Sequence, residues 1–223
     1  RLLARAASTF GNQEYWEEFY SGDSEDSKDF EWFCSYEDVQ PFFHEFVQPV
    51  LDASTTRPAK ILVAGCGNSR LTCDIYDDLC TTGINAGANS PDVEIWNVDY
   101  AEAAIARSKE TAGERRSIRH VVADLRDLPP ETFQNESFDA VVDKGTMDAL
   151  FCAGGSSARR CCGELHRVLR PHGVLLMMSG VAPTEDLLEM FQSWTQVVDG
   201  SPYITDEGEA SINLCSKLFV FQK

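Results

Sequence analysis

Ile61-Leu-Val-Ala-Gly-Cys-Gly-Asn-Ser-Arg70 joins an apolar run to a turn that holds two glycines one residue apart. The apolar run Lys60–Ala64 predicts a buried strand, and Leu71–Leu79 after the turn predicts a helix. A glycine turn between a strand and a helix lets the backbone approach a bound ligand closely. Taken alone the motif is weak, because Arg70 stands where GxGxxG has its third glycine.

Strand patterns alternate with helical patterns from residue 59 to the end of the chain. Further strands are predicted at Val93–Val98, Ile118–Val122, Phe138–Val142, Val174–Ser179, Gln196–Val198 and Leu218–Gln222. Further helices are predicted at Ala101–Glu110, Ala158–Leu169 and Leu187–Trp194. This alternation predicts an α/β fold with a Rossmann-like, mainly parallel sheet and helices on both of its faces.

Glycines or acids follow four successive strands of the predicted sheet. Gly65 and Gly67 follow the first strand, and the next three end at Asp99, Asp124 and Asp143. Ligands of such sheets bind beyond the carboxyl ends of the strands, where the strand order reverses. An acid at a strand end is often only the N-cap of the next helix. Three acids in succession beside a glycine turn favour a ligand-binding rim.

The rim is chemically suited to an adenosine that carries no phosphate. Asp99 can accept hydrogen bonds from both ribose hydroxyls, and Asp124 can accept one from the adenine amino group. The chain has no GxxxxGK[ST] motif, which excludes a P-loop NTPase. An acidic rim repels the two phosphates of a dinucleotide but suits a sulfonium cation. The predicted cofactor is therefore S-adenosyl-L-methionine (SAM), with S-adenosyl-L-homocysteine (SAH) as its product.

Length and charge narrow the class of protein further. The 223 residues suit one α/β domain, and 36 acidic residues against 19 basic ones give a net charge of −17. A net negative charge of this size disfavours direct binding of nucleic acid and attracts a basic protein surface. A need for solubility alone would also explain the acidic composition. No apolar run approaches the ~20 residues that span a bilayer, so no membrane association is expected.

Eight cysteines and four histidines show no metal-ligand spacing, so no metal is expected. Reduced thiols without a visible secretory signal favour a cytoplasmic protein, in the cytosol or also in the nucleus. Residues 1–9 begin without a methionine and are expected to be a trimmed or internal segment.

Residues 10–50 are rich in aromatic and acidic side chains. Aromatic residues at i, i+4 spacing in Tyr15–Tyr20 predict a short amphipathic helix, and Glu37–Leu51 predicts a second one. Because this segment precedes the first strand, we interpret residues 1–58 as an aromatic-rich addition to a core of residues 59–223. Most of the aromatic side chains are expected to pack in the interior, and some of them to have a further role.

Five segments carry a resemblance to a known family. They are Tyr15-Trp-Glu-Glu-Phe-Tyr20, Phe30-Glu-Trp-Phe33, Leu62-Val-Ala-Gly-Cys-Gly-Asn-Ser69, Val98-Asp-Tyr100 and Phe138-Asp-Ala-Val-Val-Asp-Lys-Gly-Thr-Met-Asp-Ala-Leu150. The chain resembles the seven-stranded class I SAM-dependent methyltransferases. More narrowly, it is similar to the methyltransferase-like family that includes lysine methyltransferases of translation elongation factor 1-alpha, of the endothelin-converting-enzyme-2-locus type. The resemblance implies protein-lysine methylation of an elongation factor 1-alpha-like partner.

The resemblance also implies which residues meet the cofactor. An N-terminal helical lid carrying Trp16 and Tyr20 would cover it, with Trp32 nearby. The other implied contacts are Gly65 with the methionine part, Asp99 with the ribose, Tyr100 with the adenine face, Asp124 and Leu125 with the adenine edge, Lys144 beside the cofactor, and Cys66, Gly67 and Asn68 in the glycine turn. Family members often have Tyr where this chain has Phe33, so a hydroxyl role is lost there.

Methylation of a lysine also requires a group, such as a carboxylate, that orients the lysine amine or accepts its proton. Asp143 is predicted to orient the acceptor amine or to accept its proton through water, with Asp148 behind it. A salt bridge with Lys144, or a cap on the following turn, is the alternative role for Asp143. Lys144 is expected to be a catalytic residue beside the cofactor, but not a nucleophile. Small-molecule methyl transfer, SAM binding without catalysis, and polyamine-type aminopropyl transfer are the alternative functions on this fold.

Overall fold

A seven-stranded sheet is the centre of the computed structural model, which describes residues 9–22, 31–81, 92–180, 182–202 and 217–223. The strands are β1 (Ala59–Ala64), β2 (Val93–Asp99), β3 (Ile118–Val122), β4 (Phe138–Lys144), β5 (Leu169–Ser179), β6 (Thr195–Pro202) and β7 (Lys217–Gln222). Their order across the sheet is β3-β2-β1-β4-β5-β7-β6. β7 runs antiparallel to β5 and β6, and the other neighbours are parallel. The predicted α/β fold is confirmed.

Helices cover both faces of the sheet. They are α1 (Gln13–Ser21), α2 (Tyr36–Phe42), α3 (Gln48–Ala53), α4 (Leu71–Thr81), α5 (Glu102–Ala112), α6 (Thr146–Cys152), α7 (Gly155–Val168) and α8 (Thr184–Met190). Helices α2 to α5 pack on one face and α6 to α8 on the other, in two separate apolar cores. Alternate side chains of β1 feed these two cores, so Ile61 lies in one and Leu62 in the other. None of the described helices is both long and apolar enough to span a membrane.

The strand order reverses at β1, which therefore marks the switch point of the sheet. β2 and β3 extend the sheet on one side of β1, and β4 and β5 extend it on the other. Gly65 follows β1, Asp99 ends β2 and Lys144 ends β4, so all three lie at the same carboxyl edge. This edge is where ligands bind in sheets of this kind.

The segment before β1 departs from the single helix predicted over Glu37–Leu51. It forms α2, then a π-helical turn over Phe43–Val47, then α3. Pro41 and Pro49 lie in this segment and cannot donate a backbone hydrogen bond, so a regular α-helix would lose bonds at both positions. In the altered register Phe43 is fully buried.

Strand β5 is longer than predicted. It begins at Leu169 rather than Val174, and the turn Arg170–Gly173 lies inside it as an irregularity in its pairing with β4. His172 adopts a left-handed φ of 66° in this turn. The turn therefore interrupts the pairing without ending the strand.

Three helices also differ from the prediction. α7 begins at Gly155 rather than at Ala158. α6 lies in a segment for which no helix is predicted, and α8 covers Thr184–Met190 rather than Leu187–Trp194. Glu185 and Asp186 favour an early start for α8, because acids stabilise the first turn of a helix. Phe30 and residues 1–8, which belong to segments discussed above, lie outside the described residues.

Candidate active site

A cavity of about 590 Å³ lies at the carboxyl edge of the sheet, beside the switch point. Its wall is mostly apolar, and its charged lining residues within the described ranges are Asp99, Asp124, Lys144 and Asp148. A few polar groups on an apolar concave wall of this volume are typical of small-molecule sites.

The cavity brings together residues that are far apart in the sequence. The predicted site residues that line it are Trp16, Tyr20, Trp32, Gly65, Cys66, Gly67, Asn68, Asp99, Tyr100, Asp124, Leu125 and Lys144. Asp143 is not among the lining residues. The N-terminal segment, the glycine turn and the ends of four strands therefore form a single wall.

The glycine turn is shaped so that no larger residue fits at its two glycines. Gly65 has a φ of 63° and Gly67 a φ of 52°, in the left-handed region that disfavours residues with a Cβ. A Cβ at Gly67 would lie 2.6 Å from the Tyr20 hydroxyl, and a Cβ at Gly65 would overlap the Thr146 side chain. The bare backbone of the turn is thus part of the cavity wall.

Asp99 is held rigidly at the end of β2. Its carboxylate accepts a hydrogen bond from the Gly67 N–H at 3.0 Å and one from the Ala101 N–H at 2.9 Å. Burial raises the pKa of Asp99 to about 6, although these backbone hydrogen bonds lower it. The carboxylate is therefore ionised at neutral pH and lies ready to accept further donors from the cavity.

Four aromatic side chains cover the cavity, and we call Phe10, Trp16, Tyr20 and Trp32 the aromatic lid. Trp16 lies at its centre, with ring centroids 5.8 Å from Phe10, 5.7 Å from Tyr20 and 6.1 Å from Trp32. The Trp16 Nε1–H donates to the Phe10 carbonyl oxygen at 2.7 Å. Trp16 and Tyr20 are buried, so the lid excludes water from this side of the cavity.

Polar contacts fasten α1 to α5, and we call Gln13, Glu17 and Arg107 the lid clasp. The Glu17 carboxylate accepts hydrogen bonds from the first two backbone N–H groups of α5, at 2.6 and 3.0 Å. Arg107 on α5 donates to the carbonyl oxygens of Tyr20 and Gly22 at the C-terminal end of α1. Gln13 donates to the Tyr100 carbonyl oxygen at 2.8 Å. The acidic Glu17 of α1 thus caps the N-terminus of α5, and the basic Arg107 of α5 caps the C-terminal end of α1. Both charges are favourable for the dipole of the helix that they cap.

Asp124 and Tyr100 form the wall near β3. The Asp124 carboxylate accepts hydrogen bonds from the Arg126 guanidinium at 2.7 to 3.0 Å. Burial would raise the pKa of Asp124, but the hydrogen bonds from Arg126 outweigh it and the pKa is lowered. Arg126 also lies 6.0 Å from the Tyr100 ring. Arg126, which the sequence reasoning did not single out, therefore orients the side chains on this wall.

Lys144 joins three parts of the chain. Its Nζ forms an ion pair with Glu31 and donates to the Cys34 carbonyl oxygen at 3.2 Å. Glu31 also accepts hydrogen bonds from the Ser69 hydroxyl and the Arg70 N–H, both at the end of the glycine turn. The Lys144 side chain is only 4% exposed, and the residue lines the cavity.

Asp143 does not take the role predicted for it. The side chain is fully buried, and its carboxylate accepts hydrogen bonds from the N–H groups of Thr146 and Met147 at 2.9 and 3.1 Å. Burial, with a smaller contribution from Asp148, raises the pKa of Asp143 to about 7. Asp143 therefore caps α6, which was its alternative role, and it does not line the cavity.

Asp148 is the carboxylate that lines the cavity beyond β4. It accepts hydrogen bonds from the Ser179 hydroxyl at 2.7 Å and from the N–H groups of Gly180 and Ala182 at 2.9 and 2.7 Å. These bonds fix the segment that follows β5. From the sequence, Asp143 was the first candidate for the acceptor carboxylate and Asp148 the second. In the structure Asp148 lines the cavity and Asp143 does not.

The sequence did not identify several residues of the site, namely Phe10, Glu17, Glu31, Arg107, Arg126 and Thr146. Glu17, Glu31 and Thr146 lie inside the segments that carry the family resemblance, so those segments could have identified them as site residues. No local sequence pattern points to Arg107, because its contacts to α1 join residues 85 and 87 positions apart in the chain. Within the described ranges, no three His, Cys, Asp or Glu side chains are grouped to hold a metal ion.

Comparisons with known protein sequences agree with this geometry. Residues 56–213 match the family described as "Methyltransferase domain". A relative in Mus musculus, named eEF1A lysine and N-terminal methyltransferase, is 30% identical over 182 residues, which are 80% of this chain and 23% of the relative. EEF1A lysine methyltransferase 4 of Bos taurus is 30% identical over 181 residues, with 76% of this chain and 61% of the relative covered. The chain spans about a fifth of the length of the first group of relatives.

Solved structures share the fold at low identity. The N-methyltransferase NodS of Bradyrhizobium japonicum WM9, in complex with SAH, aligns with a TM-score of 0.63 at 15% identity, over 95% of this chain and 97% of NodS. A SAM-dependent methyltransferase of Methanosarcina mazei aligns with a TM-score of 0.59 at 14% identity, over 83% and 98%. At these identities the likeness concerns the fold alone.

Proposed function

Because the chain belongs to the methyltransferase domain family, we propose that its cavity binds SAM and transfers the methyl group to a protein lysine. The observation that carries this proposal is the meeting of the glycine turn, Asp99 and the aromatic lid around one cavity. The acceptor we propose is a translation elongation factor 1-alpha-like protein, and the place of action is the cytosol or the nucleus.

The residues around the cavity fit SAM better than a phosphate-bearing nucleotide. Asp99, held at the end of β2, supplies an acceptor for ribose hydroxyls, and Asp124 and Leu125 lie where an adenine edge would follow. The glycine turn and Lys144 line the same cavity, where the methionine part would follow. Three carboxylates against one ammonium on the described wall would repel phosphates and favour a sulfonium cation.

When bound, SAM would supply a methyl group on a cationic sulfur. The lone pair of an amine nitrogen would form the new bond to the methyl carbon, and the electron pair of the broken carbon–sulfur bond would stay on sulfur, leaving SAH. The chain contributes positioning and exclusion of water. The aromatic lid closes one side of the cavity, and the lid clasp holds it there. The Gly67 N–H donates to Asp99, and this hydrogen bond fixes the glycine turn and Asp99 relative to each other.

A lysine acceptor must lose its proton before it can attack. Aromatic and apolar walls disfavour an ammonium, which lowers its pKa, and a fixed carboxylate can orient the amine. Asp148 is the carboxylate we assign to this role in place of Asp143, because it lies on the cavity wall beyond β4. The net charge of −17 favours the approach of a basic protein surface.

Methyl transfer can be measured directly with purified unmethylated elongation factor 1-alpha and SAM labelled in its methyl group. We expect label in the protein band, on lysine, and none when the acceptor lysines are chemically acetylated beforehand. Label that instead enters small molecules of a cell extract would favour a small-molecule methyltransferase. SAH binding by calorimetry without any transfer would favour a binding module without catalysis, and either result would refute the proposed acceptor.

Lys144 is the cationic residue on the described wall, so we propose that it binds the carboxylate of the methionine part. Lys144→Met should weaken SAH binding about 10- to 100-fold, because a charge-assisted hydrogen bond contributes about 1.5–3 kcal/mol. Binding of 5′-methylthioadenosine, which lacks the carboxylate, should change little. Calorimetry with the two ligands gives the comparison, and Lys60→Met, at the opposite end of β1, is the control variant. Equal losses for both ligands would mean that Lys144 acts through the fold alone.

A further inference from the structure

Phe33 has a strained backbone at the edge of the cavity. Its φ is 65°, a region that aromatic residues rarely adopt. The Cys34 N–H donates to the Trp32 carbonyl oxygen at 2.7 Å, which closes a three-residue γ-turn around Phe33. A γ-turn with positive φ is rare and strained, and such strain is concentrated at functional sites.

The turn inserts the Phe33 ring between two glycines. A Cβ at Gly145 would lie 2.8 Å from the ring Cε2, and a Cβ at Gly180 would lie 2.8 Å from the ring Cδ1. Gly145 follows β4 and Gly180 follows β5, so the ring fills the gap between the carboxyl ends of these strands. The space for this ring exists only because both flanking residues lack a side chain.

The contacts that hold this conformation lie on both sides of Phe33. Glu31 is bonded to Lys144, Ser69 and Arg70, and the Cys34 carbonyl oxygen accepts from Lys144. These bonds anchor the turn at both ends and oppose its relaxation. The ring also lines the cavity, so its position limits the space there.

Phe33 lies away from the residues assigned to the adenosine, and it contacts Gly145, which follows the Lys144 assigned to the methionine part. Those assigned to the adenosine lie at β2 and β3, whereas Phe33 lies across the switch point at β4 and β5. This second half of the cavity also contains Asp148, the carboxylate assigned to the acceptor. The Phe33 ring offers no hydrogen bond, so its influence on this half is steric.

We propose that Phe33 is a specificity-determining residue that limits the size of the group accommodated between the sulfonium and the acceptor nitrogen. This inference rests on the proposed function, because it assumes a sulfonium in the cavity. The Phe33 ring admits a methyl group on sulfur and excludes larger alkyl groups. By the same restriction it disfavours acceptor nitrogens that already carry several substituents.

The test compares binding of SAM with binding of its S-allyl analogue, in which an allyl group replaces the transferred methyl. We expect the unaltered chain to bind the analogue at least about tenfold more weakly than SAM, a typical discrimination for a few carbon atoms in an apolar pocket. Phe33→Gly removes the ring and suits the positive φ, so it should remove most of this difference while the variant stays folded. Calorimetry measures the affinities, and thermal unfolding checks the fold.

Phe42→Ala is the matched control, because Phe42 is a partly buried phenylalanine of the same N-terminal segment that does not line the cavity. This variant should keep the tenfold discrimination. SAM binding with an unchanged preference in Phe33→Gly, or no preference in the unaltered chain, would overturn the inference and leave the proposed function standing. Absence of SAM and SAH binding in the unaltered chain would overturn both.

Discussion

Replacing Asp99 with alanine is expected to weaken SAH binding by at least about 100-fold. The carboxylate would pair with two ribose hydroxyls, and hydrogen bonds to a charged group contribute about 1.5–3 kcal/mol each. The substitution also removes the bonds that Asp99 accepts from the Gly67 and Ala101 N–H groups, so the glycine turn loses its support. Isothermal titration with SAH measures the change directly.

Asp139→Ala is the matched control for this substitution. Asp139 is also a buried carboxylate that accepts a backbone hydrogen bond, from the Lys60 N–H at 2.7 Å, but it lies near the start of β4, at the opposite edge of the sheet. Its loss should lower thermal stability and leave SAH affinity nearly unchanged at temperatures where the variant is folded. Similar affinity losses in both variants would show that Asp99 acts only through stability.

The pH dependence of SAH binding should follow the same carboxylate. Burial raises the pKa of Asp99 to about 6, so in the free protein the group gains a proton as the pH falls through this value. A protonated carboxyl accepts hydroxyl donors more weakly, so affinity should fall between pH 7.5 and pH 5 in the unaltered chain. Any dependence that persists in Asp99→Ala comes from another group, such as Asp143, whose pKa burial raises to about 7.

Trp16→Ala should weaken SAH binding about 30-fold, because a buried tryptophan at the centre of a contact typically contributes about 2 kcal/mol or more. The indole packs between Phe10 and Tyr20, and its removal opens the aromatic lid to water. The effect should lie mainly in a faster release of SAH, since the lid restrains the bound ligand. Stopped-flow release of SAH, followed by the fluorescence of the other tryptophans, measures that rate.

Trp194→Ala is the control for the loss of a buried indole. Trp194 packs against Phe191 and Phe221 in the core on the other face of the sheet and does not line the cavity. The substitution should lower the free energy of unfolding by about 3–5 kcal/mol without changing the rate of SAH release from the folded protein. Unchanged SAH affinity in a folded Trp16→Ala variant would refute the lid assignment.

Local sequence patterns predicted the parts of the fold that depend on local periodicity. The strand Ile118–Val122 has the predicted bounds, and β1, β2, β4 and β7 differ by one or two residues at their ends. The strand-end residues Asp99 and Asp124 were identified as part of a rim because parallel strands bring their carboxyl ends to one edge. Periodicity and topology together were sufficient for this part of the site.

The remaining features depend on contacts that no local pattern contains. The role of Asp143 was decided by the direction of the chain after Gly145, whose left-handed φ of 85° turns the first N–H groups of α6 toward the Asp143 carboxylate. The ion pair of Glu31 with Lys144 joins residues 113 positions apart. Neither hydrophobic spacing nor residue type specifies such pairs, so both required the folded chain.

The lid clasp makes undocking of α1 and exposure of the α5 terminus a single event. The Glu102 and Ala103 amides are bonded to Glu17 of α1 and are therefore protected from deuterium exchange while the lid is docked. Their deuterium uptake would report how often α1 leaves, although both residues belong to α5. A bound ligand beneath the aromatic lid would slow this uptake at two backbone positions that it never touches, so the protein carries an internal reporter of occupancy.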